Sequence, residues 1–262
     1  MYAAIACDLD GTLLNAANAV TAFTADTLRE AARRGARLVI ATGRHVADVR
    51  AVAEALGVPV GLITTNGARV HGADGALLYR DDVPAGHVRE LVQPTLARGT
   101  MLSLYRDDGR LCCRHDGYVH RYDDDFGEPH ATLAQHPGDG VAKVMYTGEP
   151  ARLAEIETQI RARFGDTVAL TYSQVDFLEV MAPGVSKGRA LSRLLAHEGL
   201  ALADCAAFGD GLNDLDMLGC VGHPFRMANA NPGLAELLPG VPEAGHHDED
   251  GVAHALRRAL GF

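Results

Sequence analysis

Short apolar runs, each ending abruptly in polar or glycine-rich sequence, recur from the first residues of the chain. Ala3-Ala4-Ile5-Ala6, Leu38-Val39-Ile40-Ala41 and Ala206-Ala207-Phe208 have no alternating polar positions, the pattern of strands buried on both faces. Between such runs the apolar positions fall at helical spacing: Leu28, Ala31 and Ala32 before Gly35, then Val46, Val49, Ala53 and Leu56, and later Leu191, Leu194 and Leu195. Strands alternating with amphipathic helices predict a parallel sheet wrapped by helices, a doubly wound, Rossmann-like α/β core.

The pattern changes near Pro84. From there the chain predicts a helix over 84–98 and strands over 101–105 and 111–115 around an Asp107-Asp108-Gly109 turn. A polar stretch to Gly140, a strand over 142–146, a helix over 152–164 and strands over 168–172 and 177–181 follow. This segment reads as an inserted α+β domain over 83–184, between core segments 1–82 and 185–262. Pro84-Ala85-Gly86 and Pro183-Gly184 punctuate its two ends. No internal repeat or low-complexity tract is present.

Candidate chemistry sits where the core strands end. Asp8 and Asp10 follow the first strand, and a side-chain period of two sends both carboxylates toward one side. Like charges so close need a cation, a lysine or backbone donors to stay ionised; an Asp-rich turn uses the same residue types. Thr42-Gly43-Arg44 follows the second strand with a hydroxyl, an unhindered amide and a guanidinium, a set suited to phosphate. Thr42 equally suits the turn into the next helix, and helix N-termini themselves favour anions. Lys187, in Val185-Ser186-Lys187-Gly188, falls at a helix start, where a cation opposes the helix dipole and calls for an anionic partner. Asp210 follows a third strand, with Asn213 and Asp214 about one helical turn on and Gly209 and Gly211 leaving room for a ligand. Asp216 reads as a solvent-facing helix residue.

In their order and spacing, DLDGTLL, ATGR, SKG and GDGLNDLDML, with the NGA triplet at Asn66, MANA at Met227 and EDGVA at Glu249, resemble the haloacid dehalogenase superfamily. The likeness covers nearly the whole chain and points to the Cof-like phosphatases with a large α/β cap (subfamily IIB, C2B cap). The dehalogenases lack the second aspartate of the first motif; Asp10 is present, which points to phosphoryl transfer. The resemblance implies that Asp8 attacks phosphorus to form an aspartyl phosphate and that Asp10 serves as acid and then base. It implies Mg2+ held by the carboxylates of Asp8 and Asp210 and the backbone carbonyl of Asp10, with Asp214 acting through water or orienting the shell. Thr42, the Leu9 and Gly43 backbones, Asn213 and Lys187 would hold the phosphate, and Arg44 would bind substrate or pair with a structural acid. The implied activity is hydrolysis of small phosphomonoesters, sugar phosphates first. Phosphomutase or phosphotransferase chemistry and a noncatalytic metabolite-binding role are the alternatives.

Composition narrows the setting. The 262 residues are 47% hydrophobic and carry a formal charge of -10, which disfavours nonspecific binding to nucleic acid or anionic membranes. Cys7, Cys112, Cys113, Cys205 and Cys220 are odd in number and without CxxC spacing, unlike a disulfide framework or a zinc ribbon. No basic segment precedes the first apolar run and no run approaches membrane-spanning length, so a cytoplasmic setting is expected; oligomeric state is not legible. Other clusters read as unrelated to catalysis. Asp123-Asp124-Asp125 reads as a solvated loop, His246-His247-Asp248-Glu249-Asp250 as a polar connection able to chelate metal only weakly, and Cys112-Cys113 as one thiol inward and one outward on a strand. His115 and His120 read as surface histidines and are the specificity candidates of the insert.

Overall fold

The computed structural model describes residues 1–116, 118 and 128–261. In chain order the first segment forms β1 (Ala4–Cys7), α1 (Ala22–Arg33), β2 (Arg37–Ala41), α2 (Val46–Ala55), β3 (Val60–Thr64), β4 (Arg69–His71) and β5 (Leu77–Arg80). The insert forms α3 (Ala85–Leu91), α4 (Pro94–Ala97), β6 (Met101–Arg106), β7 (Gly109–Arg114), β8 (Glu128–Pro129), β9 (Val141–Thr147), α5 (Pro150–Phe164), β10 (Ala169–Gln174) and β11 (Phe177–Met181). The return segment forms α6 (Lys187–His197), β12 (Cys205–Gly209), α7 (Leu215–Cys220), β13 (His223–Met227), α8 (Pro232–Leu237), β14 (Glu243–Gly245) and α9 (Gly251–Leu260). The chain divides into two compact units, residues 1–79 with 186–262, and residues 80–185.

The first unit is built on a sheet of order β14-β13-β12-β1-β2-β3-β4-β5. β1 pairs in parallel with both β12 and β2, while β4 pairs antiparallel with β3. The central strands read as unbroken apolar runs because both their faces are covered. Leu38 and Ile40 of β2 join one apolar cluster with Leu28 of α1, Val49 of α2 and Leu256 of α9. Val39 and Ala41 point the other way, to Leu191 and Leu194 of α6, Met217 of α7 and Leu234 of α8. The chain runs outward from β1 to β2 and β3 on one side and returns through β12 and β13 on the other. The strand order therefore reverses beside β1, where open α/β sheets bind ligands at the carboxyl ends of their strands.

The second unit is α+β. Its sheet has the order β10-β11-β9-β6-β7-β8, and Leu102, Leu104, Val144, Tyr146, Leu178 and Val180 on one face pack with Val88 of α3 and Ile156 of α5. Two local readings change here. The helix expected over 84–98 is two, because Pro94 has no amide hydrogen and holds Gln93 in an extended conformation (φ -69°, ψ 136°). Cys112 and Cys113 do point to opposite faces, but both are buried, since β7 is an interior strand between β6 and β8. His115 is half-buried, while His120 and Asp123-Asp124-Asp125 lie outside the described residues. Among the described residues, no helix is long and apolar enough to cross a membrane.

Candidate active site

The carboxyl ends of β1 and β12 bring together side chains that are more than 170 residues apart in sequence. β1 delivers Asp8, whose amide donates to the Phe208 carbonyl of β12 at 2.9 Å. Lys187, the first residue of α6 and fully buried, places its Nζ 2.7 Å from Asp8 Oδ1 and 2.7 Å from Asp214 Oδ1. The Ser186 hydroxyl caps that helix by accepting from the Arg189 amide at 3.2 Å. These two carboxylates supply the anionic partners that a cation at a helix N-terminus calls for.

Asp214 closes a short turn after β12. Its second oxygen accepts from the amides of Asp210 and Gly211 at 3.0 and 2.9 Å, so both of its oxygens are engaged. Asp210 accepts from the Thr12 hydroxyl at 3.2 Å. Gly11 follows Asp10 at φ +71°, and a Cβ there would fall on the Asp210 carboxylate; only glycine admits both this turn and this approach. Ligand oxygens of Asp8, Asp210 and Asp214 lie within 4.8 Å of one another.

The electrostatics are those of an excess of negative charge in a buried place. Burial, then Asp214, pushes the Asp8 carboxyl well above the usual carboxylate range, against the pull of Lys187. Burial and Asp214 likewise push Asp210 up to about 6. Burial pulls the other way on Lys187, yet Asp214 and Asp8 outweigh it and hold the ammonium firmly protonated.

Asp10 points elsewhere. Both its oxygens accept from the Arg44 guanidinium, one from Nε at 2.8 Å and the other from Nη2, a planar fork matched to a carboxylate. Thr42 and Gly43 lie at the end of β2, where the Thr42 hydroxyl accepts from the Arg44 amide at 3.1 Å and a Cβ on Gly43 would crowd the Asn66 amide at 3.2 Å. Asn213 donates to Asn66 Oδ1 at 3.0 Å, which ties the turn after β12 to the turn after β3.

The structure thus groups Asp8, Lys187, Asp210 and Asp214, while Asp10 pairs through its side chain with Arg44, and Thr42, Gly43 and Asn213 border Asn66. Leu9 is buried beside Asp8, and Asp216 is exposed. Three residues of this neighbourhood carry no role in the sequence reading. Asn66 sits at φ +54° in an Asn-Gly pair that already signals a special turn. Thr12 lies inside the DGT run, and the Asn229 side chain donates to the Gly11 carbonyl at 2.7 Å from within MANA.

The chain is similar to known proteins over nearly its whole length. Residues 5–256 match the family model of the haloacid dehalogenase-like hydrolases. An Escherichia coli protein named HMP-PP phosphatase is 38% identical over 269 residues, spanning 98% of this chain and 95% of that protein. Its Escherichia fergusonii namesake is 38% identical over 267 residues, spanning 97% and 94%. A haloacid dehalogenase-like hydrolase from Bacillus subtilis superposes with a TM-score of 0.85 at 23% identity, covering 97% of this chain and 99% of that one. A subclass IIB sugar phosphatase superposes with a TM-score of 0.84 at 22% identity, covering 98% of each; at such identities both speak to the fold. The chain belongs to the haloacid dehalogenase-like hydrolases and is an enzyme of that family.

Proposed function

We propose that the protein is a Mg2+-dependent phosphatase of small phosphorylated metabolites, with Asp8 as nucleophile. The observation that carries this reading is the buried group in which Lys187 bridges Asp8 and Asp214 beside Asp210. One ammonium faces three carboxylates there, two of them held above their usual range. An all-oxygen donor set with excess negative charge fits a hard divalent cation. Asp8 and Asp210 would hold the ion, with the Asp10 backbone carbonyl beside them. Asp214, whose oxygens are taken by Lys187 and two amides, orients the set. Bound there, Mg2+ would lower the charge repulsion between a carboxylate nucleophile and an anionic phosphate.

The chain's own residues then divide the work. A carboxylate oxygen of Asp8 forms a bond to phosphorus as the ester oxygen departs, and water later cleaves the resulting aspartyl phosphate. Lys187, fixed on Asp8, faces the same transferring group and offsets its charge. Thr42, the Leu9 and Gly43 amides and Asn213 bind phosphoryl oxygens. Asp10 gives a proton to the leaving oxygen and takes one from the attacking water. Both Asp10 oxygens accept from Arg44, so proton delivery requires the fork to release one of them. The incoming phosphate, itself an anion, is the competitor that draws Arg44 away.

Sugar phosphates are the first substrate class to test. The relatives favour a second, HMP-PP, which their names give as the substrate of those proteins. The deciding experiment is phosphate release from a panel of sugar phosphates, other metabolite monoesters and HMP-PP, with and without Mg2+, for the native chain and Asp8→Asn. We expect metal-dependent release that falls by about 10⁴-fold or more in the variant. Release that survives Asp8→Asn overturns the nucleophile, and transfer of phosphate to an organic acceptor in place of free phosphate overturns hydrolysis.

A further inference from the structure

Among the described residues, a second group of side chains outside the catalytic floor brings metal-ligating atoms within 4.8 Å of one another: His246, His247 and Asp248. They sit on the turn between β14 and α9. The two strongest donors each have their other polar atom fixed by backbone. His247 Nδ1 lies 2.8 Å from the Leu14 carbonyl oxygen. A carbonyl only accepts, so in the neutral ring Nδ1 carries the hydrogen and Nε2 presents its lone pair. Asp248 Oδ1 accepts from the Ala16 amide at 2.6 Å, which leaves Oδ2 at 3.7 Å from His247 Nε2 and 3.8 Å from His246 Nδ1. His246 Nδ1 accepts a long 3.2 Å bond from the Asp248 amide, a contact that a bound cation would replace.

A histidine whose far N–H donates to a carbonyl, beside a carboxylate whose other oxygen is hydrogen-bonded, is the outer arrangement that orients ligands in metal sites. Donors around a tetrahedral ion with bonds of about 2.0–2.1 Å lie roughly 3.3 Å apart. The two separations to Asp248 Oδ2, 3.7 and 3.8 Å, exceed that value by about half an ångström, and all three donors lie within 4.8 Å of one another. Imidazole nitrogens select zinc, nickel or copper over magnesium, so this donor set differs in kind from the oxygens of Asp8, Asp210 and Asp214.

We propose that His246, His247 and Asp248 form a binding site for a divalent transition metal of the zinc class, with water completing the shell. The turn also reaches the loop behind the nucleophile. The His247 amide donates to Asn229 Oδ1 at 3.1 Å, and Asn229 Nδ2 donates to the Gly11 carbonyl at 2.7 Å. A metal that binds the folded turn more tightly than the unfolded chain stabilises the fold.

The test uses the full chain without an affinity tag, stripped by chelator and kept in excess Mg2+, titrated with Zn2+ by calorimetry and with Co2+ by visible absorption. One equivalent of Zn2+ should bind and raise the melting temperature, and Co2+ should develop the absorption of a tetrahedral nitrogen and oxygen site. His247→Gln and Asp248→Asn should each weaken Zn2+ binding at least about tenfold while melting like the native chain in chelator. If either variant fails to fold, the other variant and the Co2+ spectrum of the native chain decide. Absence of Zn2+ uptake in Mg2+, a Co2+ spectrum of an octahedral all-oxygen site, or uptake that survives in the folded variants and is lost in Asp210→Asn overturns the site.

Discussion

Each unit of the molecule buries one lysine against carboxylate, and the two are built to opposite ends. Lys187 stands at a helix N-terminus where two strand ends meet, 2.7 Å from each of Asp8 and Asp214. Lys143 stands within β9, 2.9 Å from Glu179 of β11, with its ammonium 4.1 Å from the centre of the Tyr105 ring and Glu179 also accepting from the Ser173 hydroxyl at 2.7 Å. Both side chains are at most 1% exposed. The difference lies in charge balance. Around Lys143 the Glu179 carboxylate and the Tyr105 ring face meet the ammonium's charge, and the Ser173 hydroxyl donates to that carboxylate. Around Lys187 the carboxylates outnumber the ammonium, and the excess remains for a cation and a phosphate to meet. Burial of a lysine thus does not by itself mark a site, whereas uncompensated charge beside it does.

Removing Lys187 gives the largest effect. Lys187→Met should lower phosphate release by about a thousandfold or more and destabilise the chain by about 3–5 kcal/mol, because Asp8 and Asp214 remain buried without their partner. Denaturant unfolding should show part of that stability return when Mg2+ is added. No such return is expected for Lys143→Met, and equal Mg2+ responses in the two variants would erase the contrast drawn between the lysines.

The insert pair gives the next effect, on stability. Lys143→Met alone strands Glu179 and should cost about 3 kcal/mol or more, whereas Lys143→Met with Glu179→Leu should regain most of that loss, since apolar replacement of a whole buried pair is often neutral or better. Turnover of a small aryl phosphate should keep its kcat in the double variant. A double variant as unstable as the single one means that the pair is held by more than its mutual charge.

What the sequence made legible follows from the same physics. Asp8, Thr42 and Asp210 are readable because a strand buried on both faces ends sharply, and the first polar residues beyond it stand at the sheet's carboxyl edge. Lys187 is readable because Ser186 caps a strongly amphipathic helix. The contacts that complete the site are of another kind. Thr12 with Asp210, Asn66 with Asn213 and Asn229 with Gly11 join residues 198, 147 and 218 positions apart, and no local periodicity carries such distances. The fork between Asp10 and Arg44 joins the connections after β1 and β2, 34 positions apart, and was hidden for the same reason; for Lys143 with Glu179, alternation along a strand tells which face a side chain takes and not whom it meets there. The break at Pro94, by contrast, was local and readable from the proline itself.

The smallest effect tests the charge excess directly, through pH. Burial first, and Asp214 second, raise the Asp210 carboxyl to about 6, against roughly 3.9 in an unfolded chain. Between those values the folded chain holds a proton on Asp210 that the unfolded chain does not, so stability falls as pH rises. The penalty is absent below about pH 4, grows through that window and is complete above about pH 6, at most about 3 kcal/mol. Asp8 contributes with the same sign, since burial, then Asp214, raises it too. A divalent cation on these carboxylates favours their ionised forms and should offset the loss at pH 7 and above. Urea unfolding between pH 4 and 8, with and without Mg2+, should therefore show a fall in stability with rising pH that Mg2+ reverses. Asp210→Asn should flatten the fall and blunt the Mg2+ response. A slope that Asp210→Asn leaves unchanged would mean that this carboxylate carries no excess charge, and that the contrast between the two buried lysines lies in something other than their charge balance.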